Sequence, residues 1–334
     1  MVREDVRQQM NAATLTDSHA PASTRFGVLL PTFDPLHTGQ VPRVIEGARR
    51  AEELGFDAAW VGDHLWGHAP WLDSTVALAT AAAVTERLML GFSVMLLALR
   101  PPAWAAKQIQ SIDALSGGRL TVGVGVGGEY PEEFEAAGIP VDKRGKRVDE
   151  ALAVLPDLLL GRRVDYDGDA LSVHANPLAP AMRGLPRMLI GGRGEVALRR
   201  TVRFGDGWLP MWLSPEQLVQ RGGRLRELAA ASGRPEPSIT LLILVHVDDD
   251  LERSRREAAD HLEGQYKLPL DVVERWAALG SREQVTEQLR PYLDAGVGEL
   301  ILMTLGRAPL TQYERLAEVC EMLRTTPAST GGRR

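Results

Sequence analysis

Short, almost unbroken apolar runs alternate along this chain with longer stretches in which apolar residues recur every three or four positions. The runs predict buried strands at 25–31, 58–61, 88–94, 120–126, 188–190, 207–209, 239–247 and 299–303. The 3.6-residue pattern predicts helices at 41–54, 74–85, 101–115, 148–160, 195–204, 281–295 and 312–323, and another opening at Ser214. Punctuation agrees: Gly55 and Ser116-Gly117-Gly118 stop helices. Ser214-Pro215-Glu216-Gln217 and Ser281-Arg282-Glu283-Gln284 read as capping boxes, where Ser and Gln side chains satisfy free backbone N–H groups. A small hairpin is expected at 164–173 around Asp167-Gly168.

Eight strands, nearly all followed by helices, imply a parallel sheet covered on both faces. The expected fold is α/β, a closed (β/α)₈ TIM barrel with insertion segments at 127–147 and 248–280. The length of 334 residues alone leaves one barrel or two domains open. With no repeat and no Pro/Gly-rich linker, the pattern selects a single domain at 25–325, between a loose N-terminal tail at 1–24 and a C-terminal tail at 326–334.

Composition narrows the partners. Lys plus Arg number 38 against 44 Asp plus Glu, a net charge of −6, so there is no basic footprint for nucleic acid or an anionic membrane. The single cysteine, Cys320, excludes an intramolecular disulfide. Residues 1–24 lack the apolar core of a signal peptide, and the longest apolar stretch, 88–99, is far below the roughly 18 residues a membrane span needs. The expectation is a cytoplasmic protein acting on a small molecule.

In such a barrel the chemistry sits where strands end. After the second strand comes Gly62-Asp63-His64-Leu65-Trp66-Gly67-His68. His64 is the acid/base candidate, able to exchange a proton near neutral pH. A structural histidine bonded to its loop is the competing reading, and Asp63 either contacts a ligand or caps the next turn. His64 and His68 have a metal-like spacing, but Gly62, Gly67 and Pro70 make this a loop, so no metal is expected. Gly191-Gly192-Arg193-Gly194 opens a helix; free N–H groups and Arg193 there suit a phosphate, although a tight turn needs only one glycine. Gly123 to Gly128 matches G-x-G-x-x-G weakly, because carboxylates follow it; the better reading is a strand whose missing side chains admit a flat ring. Trp66, Trp71, Trp208 and Trp212 fall at the expected mouth, where they either wall a ligand pocket or pack under loops. His246 reads as a satisfied core or rim residue.

The runs Trp60-Val61-Gly62-Asp63-His64, Leu90-Gly91-Phe92-Ser93-Val94, Lys107-Gln108, Asp113-Ala114-Leu115-Ser116-Gly117-Gly118-Arg119-Leu120, Gly123-Val124-Gly125, Ile190-Gly191-Gly192 and Gly205-Asp206-Gly207-Trp208-Leu209-Pro210 closely resemble the bacterial luciferase-like superfamily. The resemblance spans about residues 25–305 with motif order and spacing kept. It implies a TIM barrel that binds FMN or the deazaflavin coenzyme F420. It further implies a non-prolyl cis peptide at Ser93-Val94 against the cofactor ring, Asp63-His64 as the pair of the F420 branch, and a phosphate loop at Gly191 and Gly192.

One departure stands out. Sugar-phosphate dehydrogenases of that branch carry a glutamate after the glycines of the fourth strand; here the position is Gly128, and the acid is Glu129. The resulting expectation is an F420-dependent oxidoreductase. His64 is the proton donor or acceptor; Asp63, Ser93, Val94, Val126, Gly127, Gly128, Gly191, Gly192 and Arg193 face the cofactor; Trp66 and Trp212 face the substrate. The alternatives are a reduced-FMN monooxygenase served by a separate flavin reductase, and a cofactor-binding barrel without turnover. The resemblance also implies a homodimer.

Overall fold

The computed structural model describes residues 24–325, so the expected tails, apart from Thr24, lie outside the described residues. The strands are β1 (Arg25–Leu29), β2 (Ala58–Val61), β3 (Met89–Leu96), β4 (Leu120–Gly125), β5 (Val164–Asp167) and β6 (Ser172–Ala175). They continue with β7 (Arg187–Gly191), β8 (Gly207–Leu209), β9 (Ser238–Val247), β10 (Ala277–Gly280) and β11 (Glu299–Thr304). The helices between them are α1 (Val44–Glu53), α2 (Ser74–Val84), α3 (Pro102–Ser116), α4 (Pro131–Ala136), α5 (Arg144–Leu159) and α6 (Glu195–Phe204). The second half adds α7 (Pro215–Ala231), α8 (Leu251–Tyr266), the single turn α9 (Leu270–Val273), α10 (Arg282–Asp294) and α11 (Pro309–Thr325).

Strands β9-β11-β1-β2-β3-β4-β7-β8 form a parallel ring, which the β8–β9 pairing closes. Side chains alternate along each strand, so each strand feeds two cores. Leu29, Trp60, Leu189, Leu209, Leu242, Leu244, Ile301 and Met303 fill the barrel, while Val28, Leu90, Phe92, Val122, Ile190, Val245, Leu300 and Leu302 meet the helices outside. Trp60 fits because its strand neighbours are bare: a Cβ on Gly27 would stand 2.6 Å from its Nε1, and one on Gly91 would overlap its ring.

The ring confirms the eight expected strands and corrects their surroundings. Helix α1 starts at Val44 rather than 41, after Pro42, and α5 starts at Arg144, four residues before the expected 148. The 248–280 insertion has regular structure: α8 and α9 lead to β10, a ninth parallel strand that pairs with the upper half of β9. Its four residues, Ala277–Gly280, are too few to show a period in the sequence. The expected hairpin is present as antiparallel β5–β6.

The floor of the barrel is closed by charge. Glu299 (2% exposed) accepts from Arg25 on neighbouring β1 at 2.8 Å and from Arg187 at 2.9 Å. Arg187 lies on β7, which is not a neighbour of β11, so this pair crosses the barrel; its other nitrogen donates to Ser238 and Thr240.

Candidate functional site

The mouth is built around the residues that follow β2. Asp63 is buried, and its carboxylate is used up inside the protein. Oδ1 accepts from Ser74 Oγ at 2.7 Å and Arg100 Nη2 at 2.8 Å; Oδ2 accepts from Leu96 N at 2.7 Å and Arg100 Nη1 at 2.5 Å. Asp63 therefore ties the His64 loop to the end of β3 and to the start of α2. Its carboxylate has little left to offer a ligand.

His64 stands on that fixed base. Its ring is wedged between Trp71 (centroids 4.8 Å apart) and Tyr130 (5.1 Å), and Trp71 in turn stacks on Phe33 at 4.3 Å. Nδ1 faces Glu133 Oε2 at 3.3 Å, and the same oxygen accepts from Leu65 N at 3.2 Å. Nε2, on the far side of the ring, has no protein hydrogen-bond partner among the described residues, and 15% of the side chain meets solvent. Glu133 is fully buried on α4, and its Oε1 has no partner. Sequence reasoning missed Glu133, because 127–147 reads as an insertion. The available signal was Pro131 opening a helix, with Glu133 in its first turn.

Glu129 stands on the mouth side, near His64, His68 and Glu133. Although the residue is exposed, partial desolvation of its carboxyl among these groups raises its pKa, with Glu133 adding to the rise and the two histidines opposing it. Tyr130 donates to Gln265 O at 2.8 Å, which pins α4 under α8; burial raises its pKa, and Glu129 adds to this.

Next to this pair, β3 bulges. Its pairing with β4 shifts register between Phe92 and Met95, and the Ser93–Val94 peptide is cis. The Val94 side chain enters the space left by glycines of two strands: a Cβ on Gly191 would lie 3.1 Å from it, and one on Gly125 would overlap it. A Cβ on Gly123 would strike the Phe92 carbonyl. The bare positions of β4 are thus filled from within by β3, which corrects the expectation that they stand open for a flat ring. Val94 is half-buried and joins β3, β4 and β7 at the mouth, while Ser93 Oγ is buried without a partner. Beyond Val126, Gly127 (φ 66°) and Gly128 (φ 100°) turn the chain left-handed, making room for Phe134 and Arg144; Arg144 Nε donates to Gly127 O at 3.2 Å.

On the other side, Gly192-Arg193-Gly194 is exposed and leads into α6. Gly192 has φ 111°, and the N-cap Gly194 offers no side chain to the first turn, so the N–H groups of Glu195 and Val196 stay available, while that of Ala197 donates to Gly194 O at 2.9 Å. Glu195 in that turn is held by Arg199 and Arg224 at 3.0 Å each. Trp208 is not at the mouth: it is fully buried on the outside of the barrel, and its Nε1 donates to Gly192 O at 2.7 Å, shaping this loop from below.

The other tryptophans divide into two groups. Trp66 (43% exposed) packs edge-on against His68 and Tyr130, beside His64. Trp212 joins Tyr266 (5.4 Å) and Trp276 (5.7 Å), and its φ of 59° is unusual for a bulky side chain. His246 is buried, with Nδ1 against Ser254 Oγ at 3.1 Å and Nε2 facing Glu257 at 3.3 Å; burial lowers its pKa. Among the described residues no group of three His, Cys, Asp or Glu could hold a metal ion, and no helix is long and apolar enough to cross a membrane.

The sequence profile of the luciferase-like monooxygenase family matches residues 24–269. An uncharacterized protein of Mycobacterium tuberculosis, Rv0940c, is 36% identical over 168 residues, covering 50% of this chain and 58% of its own length. The F420-dependent glucose-6-phosphate dehydrogenase of Nocardia farcinica is 30% identical over 308 residues, covering 79% of this chain and 88% of the relative. Among solved structures, an F420-dependent secondary alcohol dehydrogenase with an F420-acetone adduct superimposes with a TM-score of 0.78 at 19% identity, covering 90% of this chain and 99% of the other. The FMN complex of the oxygenating constituent of 3,6-diketocamphane monooxygenase from Pseudomonas putida gives 0.71 at 18%, covering 92% and 98%. These likenesses establish the shared barrel.

Proposed function

Because the chain belongs to the luciferase-like monooxygenase family, and so to a family of oxidoreductases, we propose that it is an F420-dependent oxidoreductase acting on a small organic alcohol or carbonyl compound. The observation that carries this reading is His64: one ring nitrogen is engaged by a buried carboxylate and the other has no protein partner among the described residues.

The residues present fit the cofactor. Ser93 Oγ is a buried polar atom without a partner at the β3 bulge, and Gly192, Arg193 and Gly194 put unused N–H groups and one guanidinium at a helix N-terminus. Ser93 and Val94 would face the ring; Gly191, Gly192 and Arg193 would take the phosphate; Val126, Gly127 and Gly128 line the strand end between them. When bound, the deazaflavin supplies a carbon centre that accepts or returns a hydride.

The protein's part is orientation and the proton. Asp63 and Arg100 hold the His64 loop against β3, so the imidazole keeps a fixed place beside the bulge. In the oxidative direction Nε2 takes the proton of the substrate hydroxyl as its C–H bond gives up hydride; in reduction the same nitrogen returns it to the carbonyl oxygen. Trp66 and Trp212 would wall the substrate from two sides.

Titrating the purified protein with F420 and with FMN, followed by fluorescence, tests this. F420 is expected to bind with micromolar or tighter affinity and FMN more weakly. Tight binding of FMN alone, with oxygen consumed by the reduced complex, would replace this reading with that of a monooxygenase. Normal F420 affinity with no hydride transfer on any alcohol or ketone would leave a binding protein.

A further inference from the structure

Two buried carboxylates border the His64 loop, and they are satisfied very differently. Asp63 accepts four hydrogen bonds, one of them from a backbone N–H and two from Arg100. Glu133, with no exposed side-chain surface, has one oxygen shared between Leu65 N and His64 Nδ1 and the other without any partner. A half-satisfied buried carboxylate is costly, and folding by itself gives no reason to retain it. An apolar residue of the same size at 133 would fill the space between the His64 loop and α4 without that cost.

The cost is offset when His64 carries a proton on both nitrogens. An imidazolium at Nδ1 turns a long neutral contact into a charge-assisted hydrogen bond inside a low-dielectric pocket. Arg100 cannot do this: its guanidinium is committed to Asp63, and its influence on Glu133 is Coulombic only. The other groups facing the pair are Glu129 and His68 on the mouth side, Tyr130 along the ring face, and Asp63 with Arg100 behind the loop.

We propose that Glu133 is the positioning residue for His64: it accepts the Nδ1 hydrogen, fixes the tautomer whose Nε2 is free toward the mouth, and stabilises the imidazolium formed when Nε2 takes the substrate proton. Glu133 touches no reacting atom and acts through His64, as the carboxylate of a catalytic triad does through its histidine. Protons balance on the histidine alone: the substrate O–H bond breaks, an Nε2–H bond forms, and the Nδ1–H bond is kept throughout. This inference rests on the oxidoreductase reading above.

The test uses two variants of the full chain, Glu133→Gln, which keeps an acceptor and removes the charge, and Glu133→Met, which removes both. ¹⁵N-histidine-labelled protein without cofactor reports the tautomer, with the His64 signals assigned by their loss in His64→Gln. In the parent and in E133Q the neutral ring is expected with Nδ1 protonated and Nε2 unprotonated; in E133M the two tautomers mix. In the F420-loaded enzyme, E133M should lower kcat about 10–100-fold with KM and F420 affinity within about two-fold. E133Q should lower kcat less and change the pH profile of kcat/KM, because the neighbouring negative charge is gone. The inference is overturned if both variants keep the parent's tautomer, kcat and pH profile, whatever they do to thermal stability. Absence of F420 binding in the parent would instead sink the F420-dependent reading, while the tautomer measurement would still decide the role of Glu133.

Discussion

Glu299 at the floor of the barrel and Glu133 at its mouth are both buried acids on the same scaffold, and they are treated in opposite ways. Glu299 is clasped by arginines from β1 and β7, one of which also engages Ser238 and Thr240 on β9, so charge and hydrogen bonds are spent on tying four strands together. Glu133 is given one backbone N–H and one imidazole, and an oxygen is left over. The floor is built for stability. At the mouth, polar capacity is left unused where a ligand or a proton can use it. The same contrast separates Asp206, whose carboxylate accepts from Met188 N at 2.8 Å at the start of β7, from Ser93 Oγ, which is buried with no partner at the opposite end of the barrel.

Breaking each end in turn sharpens this contrast. The largest effect is expected at the mouth: His64→Ala should reduce kcat about 10²–10⁴-fold, the usual worth of a positioned acid/base group. Its urea midpoint should fall as well, since the ring is wedged between Trp71 and Tyr130 and is the side-chain partner of buried Glu133, so kcat is compared per folded molecule. A fall in stability with kcat unchanged would make His64 a loop-packing residue.

The floor should respond in the reverse sense. Glu299→Ala leaves Arg25 and Arg187 without their shared carboxylate, and a loss of about 2–4 kcal/mol in chemical denaturation is expected, reduced from the fully buried case because both arginines reach solvent. The folded fraction should keep the parent's kcat. An equal loss of kcat per folded molecule would show that the two ends are coupled.

The smallest effect is expected at the exposed loop before α6. Arg193→Ala should weaken F420 binding only about three- to ten-fold, and more at low salt than at high salt, because N–H groups of the loop and helix would still hold a phosphate. No change at any ionic strength would remove Arg193 from the cofactor site.

Periodicity carried the barrel. Buried parallel strands write themselves as short apolar runs, and several helices outside the insertions declare their ends through Gly, Pro and Ser, so eight strands and their order were legible, whereas α4, α8 and α9 were not. Strand β10 was not, because four residues that pair only with the upper half of β9 have no period of their own. His64 was legible as a candidate because its residue type and its place after β2 both limit what it can do. Glu133 was not, because a buried glutamate and a solvated one look alike in a sequence.

What the sequence determined by itself is therefore the repeating unit, the ring it closes and the ends at which side chains of each type arrive. Local propensity and burial suffice for that, since each βα unit carries its own pattern. The tertiary structure decided which of those side chains face each other. Asp63 proved to be spent on Arg100 and on the end of β3; Trp208 moved from the mouth to the outer core; Val94 of β3 filled the gaps left by glycines of β4 and β7; and Glu133 arrived behind His64 from a six-residue helix 69 positions away. Such pairings depend on three-dimensional approach between distant segments, and no short-range pattern encodes them.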